Sequence, residues 1–221
     1  IGSSLVGSEM CIRDRYHPNV YRRLDDTFLD PKAFYKGSVI GVPGLFKAWR
    51  KGNVGILNAI GTGVADDKVV YSYVNKMIVY YLGEQPILNQ VETYLCHDKI
   101  QMDYVIDNIS KLVVKPANAS GGYGIMIGPK APLKERQEVI NKIKKNPREF
   151  IAQPLDILST APTITETDIE PRHLDLRPFV LSGKTSYVTT GGLTRVALRK
   201  GSTIVNSSQG GGSKDTLIVD M

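Results

Sequence analysis

The sequence predicts an α+β fold, because helix-forming segments dominate its first part and antiparallel strand patterns dominate its second part. The chain has 221 residues, which suits one domain or two small lobes. Hydrophobic residues make up 42% of the chain and charged residues 23%, so a core can form. No apolar run approaches the roughly 18 residues that span a bilayer, and we expect no membrane partner.

The charge of the chain favours an anionic partner. Its net charge is +6 and its pI is about 9.2, which suits either a nucleic acid or the phosphates of a nucleotide. The basic residues are dispersed rather than clustered, so we do not expect nucleic-acid binding. Cys11 and Cys96 give no disulfide framework and favour a reducing, cytoplasmic location.

The N-terminal segment does not look native. Residues 5–14 read LVGSEMCIRD, which is identical to the translation of a common transposon-type sequencing adapter. Residues 1–15 are therefore predicted to be an artefact and are excluded from the fold argument. The natural sequence is expected to be residues 16–221, as part of a domain that continues upstream.

The first predicted strand and helix follow an irregular segment. Residues 16–52 are rich in turn formers, and residues 53–58 have the pattern of a short buried strand. A glycine-rich turn at 61–63 leads to a helix, for which Asp66 or Asp67 is a suitable N-cap.

This helix is expected to continue to about Leu82, where Gly83 ends it. Its apolar residues recur at intervals of three and four, which predicts one buried face. They are Val69, Val70, Tyr73, Val74, Met77, Ile78 and Tyr81.

The middle of the chain alternates between helices and strands. A helix is predicted over 98–108 and a strand over 112–116, which a proline ends. A tight glycine turn at 120–124 lets residues 125–127 pair back onto that strand. An amphipathic helix follows over 132–145.

The last part of the chain is predicted to consist of strands. They cover 150–153, 174–181, 186–189, 193–198 and 203–205. Residues 182–183 are expected to form a hairpin turn. Residues 206–215 have the composition of a polar Gly/Ser loop, which could close over a ligand or be a disordered tail.

Lys115 lies at the end of a predicted buried strand, directly before a glycine loop. Gly121, Gly122 and Gly124 can expose successive backbone N–H groups to a phosphate chain, because no Cβ blocks the approach. Lys115 would add positive charge for the α- or β-phosphate. The alternative is a β-hairpin with glycines at positive φ and a lysine that reaches solvent.

Lys68 is a second candidate phosphate ligand. It begins the helix that follows the first glycine turn, and helix N-termini favour anions. Two lysines from separate elements could together bind one triphosphate. The alternative is a solvated lysine in the first turn.

Polar residues on later strands extend this pattern. Gln153, at a strand edge, could offer backbone and amide groups to an adenine. Asp175 and Arg177 share one strand face by alternation, which suits Mg²⁺ and a transferring phosphoryl group or, alternatively, a salt bridge. Arg195 is a further candidate contact to an anion.

Eight stretches occur in one order and cover nearly everything from Tyr21 to Thr216. They read YRRLDDTFLDP, GVPGL, GNVGILNAIGTGVADDK, LVVKPANASGGYG, IAQP, PRHLDLRPFVL, GGLTRVA and VNSSQGGGSKDT. In this order they resemble the circularly permuted ATP-grasp proteins, relatives of the ligase domain of glutathionylspermidine synthase. The resemblance implies an ATP-grasp fold with the nucleotide between two α+β lobes, truncated here at the N-terminus.

The resemblance also implies roles for individual residues. Lys68 and Lys115 would be the nucleotide-binding lysines, with Gln153 at the adenine hinge. Arg177 and Arg195 would contact the γ-phosphate or the acyl phosphate. The glycine lid after Lys115 would comprise Ser120, Gly121, Gly122 and Gly124.

The family's principal metal-binding segment would lie upstream of the YRRLDD stretch, outside this chain. Asp175 and Asn206 would be metal neighbours at most. The chain is therefore expected to be an inactive fragment of an active parent.

The implied activity is that of a bacterial carboxylate–amine ligase that uses ATP and Mg²⁺ and forms an acyl phosphate. The substrates would be small-molecule or peptide carboxylates and amines. The alternative is a non-catalytic protein in which ATP is a structural or regulatory ligand. The sequence fixes neither the substrates nor the oligomeric state.

Overall fold

The computed structural model describes residues 19–119, 122–165, 168–202, 205 and 211–216. The predicted mixture of helices and sheets is confirmed, and the chain divides into two compact units, Ile1–Asn89 and Gln90–Met221. The proposed adapter, residues 1–15, lies outside the described residues and stays a prediction. No helix within the described ranges is long and apolar enough to cross a membrane.

The first unit contains short helices and one pair of parallel strands. Its elements are β1 (Asn19–Tyr21), α1 (Asp26–Leu29), α2 (Leu45–Arg50), β2 (Gly55–Leu57), a 3-10 helix (Thr62–Asp66), α3 (Lys68–Tyr71) and α4 (Val74–Leu82). Val20 of β1 pairs with Ile56 of β2. The strand predicted over 53–58 is confirmed in its central residues.

The prediction of a single helix that runs to Leu82 is wrong in one respect. The helix is broken after Tyr71 into α3 and α4. Asp67 is the N-cap, and its carboxylate accepts from the Val69 N–H at 2.8 Å. At the break, the Ser72 N–H donates to the Val69 carbonyl three residues earlier, and the next residue repeats this tighter bond. The predicted apolar stripe does not form one buried face, since Val69 is buried whereas Tyr73 and Val74 are exposed.

The side chains of α4 show the consequence. No residue of Val74–Leu82 is buried, and Tyr81 is 75% exposed. Gly83 ends the helix in the left-handed region at φ 67°, as predicted.

Arg22 is a buried cation that holds the turn after β2. Its Nε donates to the Asn58 carbonyl at 2.5 Å and its Nη2 to the Ala59 carbonyl at 2.7 Å. Nη1 donates to the Leu24 carbonyl at 2.5 Å, and Nη2 forms an ion pair with Asp26 at 2.5 Å. The guanidinium therefore supplies hydrogen-bond donors to backbone carbonyl groups that have no partner on a neighbouring strand.

Asp30 is a buried carboxylate, 1% exposed, that organises the entry to α2. Its Oδ1 accepts from the N–H groups of Lys32 at 2.8 Å and Gly44 at 3.0 Å, and its Oδ2 accepts from the Phe46 N–H at 3.0 Å. Burial raises the pKa of Asp30, but the hydrogen bonds from these backbone donors outweigh burial. The pKa of Asp30 therefore lies below its ordinary value.

Among its described residues, the second unit has two four-stranded antiparallel sheets. The strands are β3 (Tyr94–Leu95), β4 (Leu112–Pro116), β5 (Met126–Ile127), β6 (Phe150–Pro154), β7 (Thr160–Ile164), β8 (Ile169–Ser182), β9 (Ser186–Ala197) and β10 (Gly211–Lys214). The helices are α5 (Lys99–Asp107), α6 (Leu133–Lys145) and a 3-10 helix (Pro147–Glu149). The sheet orders are β3-β6-β4-β5 and β10-β9-β8-β7.

The first of these sheets is covered by helices on one face. Val114 and Ala152, which are paired across β4 and β6, pack in one cluster with Val105 of α5 and Ile143 of α6. All four side chains are buried. The predictions for these helices and for the central strands are confirmed to within one or two residues.

The second sheet differs from its prediction in each of its four strands. Strand β8 was predicted over 174–181 but begins five residues earlier, at Ile169. Residues 186–189 and 193–198 belong to one continuous strand, β9, and β7 was not predicted. The predicted loop at 206–215 is wrong for 211–214, which pair with β9 as β10. A glycine-rich segment can add to a sheet edge because the ladder needs only backbone groups. Residues 203–204 and 206–210 lie outside the described residues.

The hairpin turn between β8 and β9 is confirmed. Ser182 pairs with Ser186, and the Gly183 N–H donates to the Thr185 carbonyl at 3.1 Å.

Replacing Asp30 with asparagine is expected to destabilise the protein by about 1–3 kcal/mol at pH 7, because an amide NH₂ then faces a backbone donor. The folded-state pKa lies below 3.8, so the contribution of Asp30 is fully present above the unfolded-state pKa. It is lost as the pH falls through the lower folded-state pKa. Denaturant unfolding of the unmodified chain and the Asp30→Asn variant between pH 3 and 7 measures the difference in their free energies of unfolding. This difference should become smaller below a pH of about 4.

Asp25→Asn is the matched control. Asp25 also accepts a backbone hydrogen bond, from the Thr27 N–H at 2.8 Å, but it is exposed, and asparagine caps helices about as well as aspartate. Equal effects of the two substitutions would contradict the role assigned to the Asp30 charge.

Candidate functional site

A row of polar side chains crosses the first sheet of the second unit, from β4 to the residue before β3. The Lys115 Nζ donates to Gln153 Oε1 at 2.6 Å. The Gln153 Nε2 donates to Thr93 Oγ1 at 2.8 Å, and the Thr93 hydroxyl donates to the Val91 carbonyl at 2.9 Å. Two of the predicted site residues, Lys115 and Gln153, are therefore in direct contact.

Strand alternation explains why these residues meet. Val114 points to the helix-covered face, so its neighbours Val113 and Lys115 point to the other face. Gln153 is paired with Val113, which puts Gln153 on that same face and diagonal to Lys115. Gln153 is 7% exposed and Lys115 is half-buried. The sheet thus presents an ammonium group whose orientation is set by a buried amide.

The glycine turn after β4 requires glycine at two described positions. Gly122 and Gly124 have φ values of 81° and 72°, in the left-handed region that side chains disfavour. A Cβ at Gly124 would also lie 2.9 Å from Cγ of Pro116. Ser120 and Gly121 lie outside the described residues, so the proposed phosphate lid is described only in its second half.

A carboxylate with two arginines occupies the second sheet. Asp175 on β8 is paired with Arg195 on β9, whose Nη2 donates to Oδ2 at 2.9 Å and whose Nε donates to Oδ1 at 3.2 Å. Arg177 donates to Oδ2 from both Nε and Nη2 at 3.2 Å. The prediction that Asp175 and Arg177 share a face is confirmed, and the two residues form the salt bridge that was the alternative.

The environment of this cluster favours the ionised carboxylate. Burial raises the pKa of Asp175, but the hydrogen bonds from Arg195 and Arg177 outweigh it and the pKa is below its ordinary value. The side chain of Arg195 is 13% exposed and that of Arg177 is 52% exposed. Arg195 therefore anchors the carboxylate from inside, and Arg177 lies at the surface.

The described residues do not fit a Mg²⁺ site by themselves. Both oxygens of Asp175 accept hydrogen bonds from guanidinium groups, whereas Mg²⁺ needs oxygen ligands with lone pairs available. No group of three or more His, Cys, Asp or Glu side chains within the described ranges could hold a metal ion. Asn206 lies outside those ranges, and the metal role of both residues stays a prediction.

Lys68 lies in the first unit, at the first position of α3. Burial lowers the pKa of Lys68 below its ordinary value, although the carboxylates of Asp67 and Asp66 raise it. The preceding turn is held by Asp26, whose Oδ2 accepts from the Gly61 N–H at 2.9 Å. The convergence of Lys68 with Lys115 on one ligand stays a prediction.

Sequence reasoning missed Thr93 and gave Cys96 no role. Thr93 stands alone in an irregular segment, and only the pairing of Tyr94 with Ala152 shows that it faces Gln153. Cys96 is buried, and burial raises the pKa of its thiol to about 12. This thiol is a core residue.

Comparison with known proteins agrees with the resemblance described above. Residues 18–197 match a sequence family described as circularly permuted ATP-grasp type 2. An uncharacterized protein of Synechocystis sp. is 56% identical over 201 residues, covering 90% of this chain and 42% of its own length. An uncharacterized protein of Mycobacterium tuberculosis is 54% identical over 201 residues, covering 90% of this chain and 36% of its own length.

A further relative has a functional name. The Frankia casuarinae protein named "Putative glutamate--cysteine ligase 2-2" is 50% identical over 199 residues, covering 90% of this chain and 23% of its own length. The chain thus spans less than half the length of these three relatives.

Arg195→Gln is expected to destabilise the protein by about 1–3 kcal/mol, because it removes two charge-assisted bonds from a mostly buried carboxylate. Arg177→Gln is expected to cost only about 0–1 kcal/mol, since an exposed ion pair is weakened by solvent. Urea unfolding at pH 7 compares the two variants directly. A larger loss for Arg177→Gln would contradict the assignment of Arg195 as the anchor of Asp175.

Proposed function

The chain belongs to the circularly permuted ATP-grasp family, and on that premise we propose that it forms the nucleotide-binding part of an ATP-dependent ligase joining a carboxylate to an amine. Residues 16–221 would be a partial ATP-grasp domain. The proposal includes the arrangement that the family resemblance implies, with the nucleotide between two α+β lobes.

The observation that best supports this proposal is the contact of Lys115 with Gln153 on the sheet face opposite the helices. A lysine ammonium beside a turn with glycines at positive φ offers positive charge and accessible backbone donors. This set of donors fits a triphosphate and has no evident use in the core. The side-chain amide of Gln153 is engaged at both ends, by Lys115 and Thr93, so the adenine hinge proposed for Gln153 would rest on its backbone groups.

When bound, ATP would supply the phosphoryl group that converts the substrate carboxylate to an acyl phosphate, with release of ADP. The nitrogen of the amine would then attack the acyl carbon, and phosphate would leave as the amide bond forms. The chain's contribution would be positioning and charge neutralisation rather than a nucleophilic side chain.

The proposed roles of the residues are those that the family resemblance implies. Lys115 and Lys68 would neutralise the phosphate chain, and the glycine turn from Ser120 to Gly124 would exclude water from the acyl phosphate. Arg177, at the surface of its cluster, would contact the transferred phosphoryl group, and Arg195 would act with it. Asp175 and Asn206 are retained as proposed metal neighbours, but we derive no step through a metal.

The substrates are proposed only as classes. The Frankia relative is named for glutamate and cysteine, but the matched segment covers 23% of that protein. For this chain we propose a small-molecule or peptide carboxylate and an amine, and we propose that it acts in the cytoplasm of a bacterium.

A non-catalytic role is the second candidate. Both oxygens of Asp175 are engaged by arginines, as in a structural ion cluster. This observation favours a protein that binds ATP as a structural or regulatory ligand.

Turnover by a full-length relative, such as the Synechocystis protein, separates the two candidates. With MgATP, a panel of amino acids and peptides, and hydroxylamine as the amine, a ligase is expected to form ADP and a hydroxamate in equal amounts. Both products should require the carboxylate. Nucleotide binding without carboxylate-dependent ADP formation would contradict the ligase proposal and favour the second candidate.

Lys115→Ala in the 221-residue chain is expected to weaken MgATP binding by about 1–3 kcal/mol, the range for losing a charge-assisted contact. Isothermal titration calorimetry measures the change, and the thermal midpoint reports folding. Lys111→Ala is the matched control, because Lys111 is exposed and precedes the same strand. Equal affinity of the Lys115→Ala variant and the unmodified chain would contradict the nucleotide site.

A further inference from the structure

Three hydrogen bonds link Lys115, Gln153, Thr93 and Val91 in a chain, and each residue donates to the next one. The Thr93 hydroxyl has one hydrogen, which it donates to the Val91 carbonyl, so its oxygen must accept from the Gln153 Nε2. The other end of the same amide, Oε1, then faces Lys115. A lysine ammonium can only donate, so both ends of the amide require the same orientation.

Exchanging the positions of the NH₂ group and the oxygen of the Gln153 amide would destabilise the folded state. Its NH₂ group would then face the Lys115 ammonium, and its oxygen would face a hydroxyl whose hydrogen is already donated to Val91. Gln153 is buried, so water could not satisfy the displaced groups. Thr93 therefore holds the amide oxygen toward Lys115 from the opposite end of the amide.

A neutral amide is a suitable partner for a lysine that binds an anion. A carboxylate in the same place would orient the ammonium but also neutralise its charge. The Gln153 oxygen orients Lys115 without itself neutralising the positive charge. The orientation of the Lys115 ammonium depends on the position of the amide oxygen of Gln153, and Thr93 helps to hold that oxygen in place.

We propose that Thr93 is a positioning residue for nucleotide binding, which acts through the orientation of the Gln153 amide on the ammonium of Lys115. Thr93 needs no contact with the nucleotide for this role. The inference rests on the proposed function, because it takes Lys115 as a nucleotide-binding lysine.

The test compares three variants of the full 221-residue chain by MgATP titration and thermal midpoint. Thr93→Val keeps the shape but removes the hydroxyl, and Thr93→Ser keeps the hydroxyl. Thr163→Val is the matched control, because Thr163 is also half-buried and donates to the carbonyl two residues earlier, that of Ala161, at 3.2 Å.

Thr93→Val is expected to weaken MgATP binding about three- to ten-fold, the equivalent of one hydrogen bond. Thr93→Ser should restore the affinity, and Thr163→Val should leave it unchanged. The thermal midpoints of the two valine variants should be alike, so a loss of affinity confined to Thr93→Val would not be a loss of folding.

The double variant decides whether Thr93 acts through Lys115. In the Lys115→Ala background, Thr93→Val should change the affinity by less than about two-fold, because the residue it positions is gone. An undiminished effect in that background, or unchanged affinity of Thr93→Val alone, would overturn this inference and leave the proposed function standing. Absence of nucleotide binding by the unmodified chain would overturn both.

Discussion

The antiparallel pairing of β4 with β6 decides which side chains of these two strands pack against the helices and which lie on the face of the candidate site. Val114 and Ala152, which are opposite each other, face α5 and α6. Lys115 and Gln153 face the other way, together with the buried Val113 and Ile151. A shift of one residue in β4 would turn Lys115 toward the helix-covered core and Val114 away from it. The packing of this core therefore also fixes the position of the candidate site.

Lys115 and the two arginines of the Asp175 cluster are held in different ways. Lys115 is oriented by a neutral amide, which does not itself neutralise the charge of the ammonium. Arg195 and Arg177 share the carboxylate of Asp175, so that cluster keeps one net positive charge, and Arg177 is its exposed side chain. The first arrangement suits a permanent contact with a phosphate chain. The second suits a surface guanidinium that engages an anion while its partner stays anchored.

A regular period predicted individual elements, but long-range contacts decided whether their apolar faces are buried. The helices α5 and α6 have apolar residues at intervals of three and four, and strand β4 is a short apolar run that a proline ends; each was predicted to within one or two residues. The same helical period in residues 69–81 predicted one helix, which is broken after Tyr71 and does not have one buried apolar face. Strand β3 has two residues and so has no period, and β10 is glycine-rich and depends on the edge of β9. The same distinction holds in the site: Lys115 and Gln153 lie in motifs, whereas Thr93 is recognised only by its place opposite Gln153. The buried charges Arg22 and Asp30 were also unforeseen as structural groups, because their partners are backbone atoms that sequence does not reveal.

The most direct test of the account is an NMR titration of the isotope-labelled chain with MgATP. The account predicts that shift changes concentrate on the Gln153 side-chain amide and on the backbone amides of β4, β6, Gly122 and Gly124. The buried core face at Val105 and Ile143 should change little. Nucleotide-dependent changes confined to other parts of the chain would contradict the placement of the site on this face of the sheet, and so would their complete absence at saturating MgATP.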